Sequence, residues 1–141
     1  MSSYLTFYLV PKKEKVKKQT PMTFISYCRT SEVYQAINET LNPAYCGTED
    51  KYSEVDAEDI RRVIASVEED KAKAENKLKL RVEAYKEMAN GIISDEAIDD
   101  YVSTKNYIQD LQETINALEG IYSWISDLEY SDFEKVLINI D

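Results

Sequence analysis

Apolar residues run together at both ends of this chain and recur in threes and fours through its middle. Residues 4–10, YLTFYLV, are aromatic and β-branched, apolar on both faces, and stop at Pro11. That composition predicts a strand with neighbours on both sides. Residues 22–29, MTFISYCR, repeat it, placing Met22, Phe24, Ser26 and Cys28 on one face and Thr23, Ile25, Tyr27 and Arg29 on the other. The polar link PKKEKVKKQT joins the two as a hairpin. At the far end, FEKVLINI (133–140) places Val136, Ile138 and Ile140 on one face of a third strand.

The period changes between these ends. Thr30 and Ser31 are N-cap residues for a short helix over 31–41, with Val33, Ile37 and Leu41 inward and Asn42-Pro43 as its stop. The stretch AYCGTEDKYSEV is expected to be a loop. Asp56 with Asp59 approximates a capping box for a long helix over 57–89. Ile64, Val67, Ala74, Leu78, Tyr85 and Met88 lie on its heptad seam, interrupted by Lys71 and Arg81, whose long stems can snorkel. KLKLRV alternates like a strand, but Glu69–Lys73 and Glu75–Lys79 at i,i+4 favour the helix. Asn90-Gly91 ends it and Ser94 starts another, over 95–129, with a seam of Ala97, Tyr101, Thr104, Ile108, Leu111, Ile115, Leu118, Tyr122 and Ile125. Ile121, Trp124 and Leu128 widen that stripe near its end, so the end must be covered on more than one side.

The expected fold is therefore α+β, in a single domain over 1–141. A small antiparallel three-stranded sheet (1–29 and 133–140) carries one short helix and a long antiparallel helical hairpin. Helices of this length run roughly 50 Å, whereas the strands span only about 27 Å. The hairpin base, near Ile60–Val67 and Leu118–Leu128, should lie on the sheet, and its distal half should project as a bare two-helix coil.

Charge sharpens this picture. The formal net charge is −10, and it is unevenly spread. Residues 1–48 hold six Lys or Arg against three Asp or Glu; residues 94–141 hold two against twelve. The last third thus carries a balance of −10, which repels nucleic acid and suits a protein with a basic surface. On the second long helix, Glu96, Asp99, Asp110 and Glu113 fall outward with Ser103 and Asn106 between them, and Asp100 adjoins this stripe. A rigid row of carboxylates imitates phosphates and suits a basic groove, although a solvated face is the commoner reason for such a pattern. The tip supplies Ile92 and Ile93, apolar residues rimmed by acids that either contact a partner or staple the helix ends. Lys12, Lys13, Lys15, Lys17 and Lys18 make a basic loop, read as mobile and solvated, that blunts a sheet edge; direct contact with nucleic acid is not expected from it. Eleven tyrosines, including Tyr27, Tyr34, Tyr45 and Tyr52, suit core rims and interfaces.

Candidate chemistry is sparse. With no histidine there is no Ser-His or Cys-His pair, and three glycines make no phosphate loop. Adjacent carboxylates such as Asp99 and Asp100 point apart on a helix, and no EF-hand spacing occurs, so no metal and no cofactor is expected. Cys28 and Cys46 fit a reducing compartment. No signal peptide or membrane span is legible in MSSYLTFYLV. In general style the chain resembles small acidic accessory proteins of bacteriophages and mobile elements, without a motif that names a family. The cysteine usage and the N-terminal stretch make the cytoplasm the expected location, in a bacterial host cell if the protein is phage-encoded. The expected function is non-enzymatic: to inhibit or bridge a basic protein, one that handles nucleic acid, through the acidic hairpin. Alternatives are a structural component that self-assembles through the distal hairpin, as in a virion, and a nucleic-acid accessory protein using the lysine loop.

Overall fold

The hairpin, the C-terminal strand and the long helices all form. The computed structural model describes residues 3–41, 52–87 and 94–140. Their order is β1 (Tyr4–Pro11), β2 (Met22–Cys28), α1 (Glu32–Leu41), β3 (Ser53–Val55), α2 (Ala57–Glu87), α3 (Asp95–Ser126) and β4 (Phe133–Ile140), with single 3-10 turns at Lys13–Lys15 and Leu128–Tyr130. The sheet order is β2-β1-β4-β3, and every neighbouring pair is antiparallel.

β1 is central, as its two-sided apolar run demands. Leu5, Phe7 and Leu9 face the helices and are buried, while Thr6 and Val10 on the opposite face are buried too. Thr6 shares a 2.9 Å hydroxyl contact with Ser26 of β2. Asn139 of β4, paired with Thr6 in register, is also buried there, and its Oδ1 finds no hydrogen-bond partner among the described residues.

Two details differ from expectation. The sheet has a fourth strand: Ser53–Val55, within the expected loop, pairs with β4 through Val55 and Val136. Three residues are too short to show alternation, and what makes them a strand is the open edge that β4 offers. The simple alternation of β2 also fails. A bulge between Phe7↔Ile25 and Tyr8↔Thr23 leaves Phe24 unmatched. Ile25 and Tyr27 pack on the core, and the Phe24 ring reaches Trp124 of α3 at 5.0 Å between centroids.

The helix starts form as their capping residues require. The Val33 amide donates to Ser31 Oγ (3.2 Å), and the Ala97 amide donates to Ser94 Oγ (3.1 Å). At α2 the Asp59 amide donates to Asp56 Oδ1 (2.8 Å) and the Asp56 amide returns to Asp59 Oδ2 (3.1 Å). Such caps are worth about 1 kcal/mol each.

The core lies between the sheet and the hairpin base. Ile60, Val63 and Val67 of α2 and Leu111, Ile115, Leu118, Ile121 and Ile125 of α3 meet Leu5, Phe7, Val136 and Ile138 from the sheet, with Val33 and Ile37 from α1 closing one side. Val63 is fully buried while Ile64, on the expected seam, is only partly so. The stripe has turned because α2 must face the sheet and α1 as well as α3. Past Val67 and Leu111 this core ends. Among the described residues beyond it, only Ala74 is a buried apolar side chain.

Candidate partner-binding surface

α3 begins at a capped serine and runs for 32 residues, so the spacing of its acids becomes a spatial line. Glu96, Asp99, Asp110 and Glu113 are all exposed, as are Ser103 and Asn106 between them. Among the described residues none of the four acids enters a salt bridge. Gln109 makes only a long 3.4 Å approach to Glu113. Lys105, the sole base on this helix, leans over the Tyr101 ring at 5.4 Å.

Asp100 behaves differently. Its carboxylate turns to α2, where Arg81 Nη1 donates to both oxygens at 2.5 and 2.6 Å and Tyr85 Oη donates to Oδ2 at 3.2 Å. Burial, and then the facing Asp100 carboxylate, hold the Tyr85 phenol above its ordinary range. Lys71 makes the matching cross-helix contact lower down, donating to Gln112 at 2.5 Å. The two cations of the α2 seam thus find polar partners on α3 instead of solvent.

Beside the row the charge is mixed. The Tyr107 phenol is raised first by burial and then by Asp70, Glu32 and Glu39, while Lys73, Lys77 and Arg81 line the groove it shares with Ser103. Leu80 (58% exposed), Ile98 and Val102 (48% each) leave apolar area open on the distal half. Ile92 and Ile93 lie outside the described residues, as do Tyr45, Cys46 and Met88.

The lysine loop is solvated, as expected, with residues 13–18 all exposed, and it contacts the segment 129–134. The Lys12 amide donates to Asp132 O and its Nζ to Glu129 O, both at 2.9 Å; Lys15 pairs with Asp132 at 3.5 Å. Gln19 adds bonds to Pro11 O (2.8 Å) and Glu134 Oε1 (2.6 Å). Lys13, Lys17 and Lys18 remain exposed.

One surface escaped the sequence reading. Trp124 sits between Phe24 and Phe133, whose ring centroids lie 5.0 and 6.1 Å away, and beside it Tyr130 is 83% exposed. The signal available was Gly120, a glycine inside a strong helical pattern with no turn to serve.

Cys28 is exposed, and the Thr30 hydroxyl at 3.1 Å lowers its thiol below the usual value. Among the described residues no group of three or more potential metal ligands converges, and no helix is long and apolar enough to cross a membrane. No family model, curated protein or solved structure matches this chain.

Proposed function

We propose that this is a non-enzymatic binding protein of the accessory type, which inhibits or bridges a basic, nucleic-acid-handling protein in the cytoplasm. The observation that carries the reading is the row Glu96, Asp99, Asp110 and Glu113, exposed on a 32-residue helix and in no salt bridge among the described residues. Uncompensated like charges on one line repel one another, so the row gains most when a basic surface covers it. The hairpin holds that row rigid, because Arg81–Asp100 and Lys71–Gln112 lock α3 to α2 where the core has ended. Asp100 therefore acts as a positioning residue and the four outer acids as contacts.

The test is capture by the full-length protein, with the bound proteins identified. Basic nucleic-acid-binding proteins should be retained, then released by salt and by competing duplex DNA. Retention that neither salt nor DNA disturbs would contradict the proposal.

A second reading is self-assembly through the distal hairpin. It is favoured by Leu80, Ile98 and Val102, which lie open on the distal halves of the two helices, where Ala74 is the one buried apolar side chain among the described residues. Two hairpins can pair as a four-helix bundle. A monomeric mass by light scattering at high concentration removes that reading and leaves the foreign partner.

A further inference from the structure

The three-four spacing that carries the acids of α3 does not stop at Glu113. It continues through Ala117, Gly120, Trp124 and Asp127, down to where the helix lies on the sheet. A heptad repeat keeps such a row on one flank of a helix pair. From Glu96 to Asp127 the row is about 46 Å long.

At its lower end the row changes chemistry. Gly120 weakens the helix it sits in, yet a Cβ there would meet nothing within 4 Å, so close packing within the chain does not require it. The missing side chain leaves a shallow notch walled by Ser123, Trp124, Asp127, Tyr130 and Ser131. The rings of Phe24 and Phe133 lie against the indole of Trp124, and Phe24 is itself exposed. Large aromatic residues around a small recess are the usual composition of an interface hot spot.

Charge decides the occupant. Between residues 117 and 134 every charged residue is an acid: Glu119, Asp127, Glu129, Asp132 and Glu134. Lys15 answers Asp132 and Gln19 answers Glu134, whereas Asp127, on the notch wall, is in no salt bridge among the described residues. A neutral apolar segment would leave that carboxylate covered and unpaired.

We propose that the notch at Gly120 and Trp124 anchors an amphipathic helix of a basic partner, taking one apolar side chain while a neighbouring Lys or Arg meets Asp127. The rest of that helix runs along the row, its cations against Glu113, Asp110, Asp99 and Glu96. The inference rests on the proposed acidic-face function and adds to it the partner's shape: a basic helix with an apolar anchor at one end.

The chain has a single tryptophan, so indole fluorescence reads the notch alone. Three synthetic probes separate the surfaces: an Arg-rich amphipathic helix with one leucine per turn, an oligolysine of equal charge, and an uncharged apolar helix. The amphipathic peptide should bind and shift the emission of Trp124, whereas oligolysine should bind more weakly and leave it unchanged. Gly120→Leu fills the notch and should abolish the shift and weaken the amphipathic peptide by about tenfold or more, the scale of a lost hot spot. That variant should also raise the melting temperature, since Leu favours a helix over Gly, so lost binding cannot be lost folding. Equal binding of the two charged probes without an emission change overturns the notch and leaves the acidic face standing. No binding of either charged probe overturns both. An equal response to the uncharged apolar helix overturns the basic occupant. A protein-only emission change that grows with concentration as the mass doubles assigns the notch to a second copy and overturns the proposal.

Discussion

Arg81 and Asp100 face each other across the hairpin, one guanidinium nitrogen within 2.6 Å of both carboxylate oxygens, in a region where the hydrophobic core has already ended. Both side chains are about a third exposed, so the pair is only partly shielded from water. Partly exposed pairs of this kind contribute up to about 1 kcal/mol, and here little apolar burial competes with that. Arg81→Ala or Asp100→Asn should therefore loosen α2 and α3 locally. Amide exchange should accelerate around 74–86 and 95–108 while protection at Ile60, Val63 and Leu118 stays intact. Uniform loss of protection across the chain would show that the pair supports the whole fold.

The base and the distal half should answer truncation differently. Ile60 and Leu118 are fully buried, and replacing either by Ala should cost about 2–5 kcal/mol in denaturant unfolding. Leu78→Ala, at a half-buried seam position, should cost well under that. Equal costs at Leu78 and Leu118 would mean that the core extends further up the hairpin than Val67 and Leu111.

Much of this fold was legible because most elements announced themselves locally. The caps at Ser31, Asp56 and Ser94 marked three helices, with heptads behind the two long ones, while a two-sided apolar run marked β1 and a one-sided alternation marked β4. What escaped depends on neighbours far away in sequence. Ser53–Val55 is a strand only because β4 has a free edge. Val63 outranks Ile64 because the sheet and α1 pull the buried stripe off the hairpin seam. Phe24 leaves the alternation through a bulge that seats it on Trp124. For the site, the outer acids were readable as a spacing, but the pairing of the adjoining Asp100 across the hairpin was not. Its partner Arg81 reads as a snorkelling seam residue until the register between the two helices is known.

Alkaline pH should destabilise the protein. Burial raises the phenols of Tyr27, Tyr85 and Tyr107 above the ordinary value of 10.0, with Asp100 adding to the shift of Tyr85 and Asp70, Glu32 and Glu39 to that of Tyr107. A group whose folded-state value is raised keeps its full contribution below its unfolded value and loses it as pH climbs through the folded one. Thermal stability should thus hold up to about pH 10 and fall beyond it. Tyrosinate absorbance should show late-titrating phenols, one fewer in each of Tyr27→Phe, Tyr85→Phe and Tyr107→Phe. All phenols titrating together near the ordinary value, with flat stability, would contradict this.

The proposed function requires the acids to lie on α3, whatever the net charge of the chain. It is tested by comparing two variants of equal charge. One carries Glu96→Gln, Asp99→Asn, Asp110→Asn and Glu113→Gln; the other carries Glu54→Gln, Glu58→Gln, Glu68→Gln and Glu83→Gln, all exposed positions elsewhere. Both should fold as the parent does, since such surface changes stay within about 0.5 kcal/mol each. Affinity for the captured basic protein is then measured by titration calorimetry at several salt concentrations, because exposed charges are screened beyond roughly 10 Å at 0.1 M. The α3 variant should lose about tenfold or more in affinity, together with most of the salt dependence, while the control stays within about twofold, in line with four exposed pairs of a few tenths of a kcal/mol each. Equal losses in the two variants would reduce the row to bulk charge. Loss of binding on changing Lys12, Lys13, Lys15, Lys17 and Lys18 to Gln, with the α3 variant unaffected, would contradict the account outright and place function in the lysine loop.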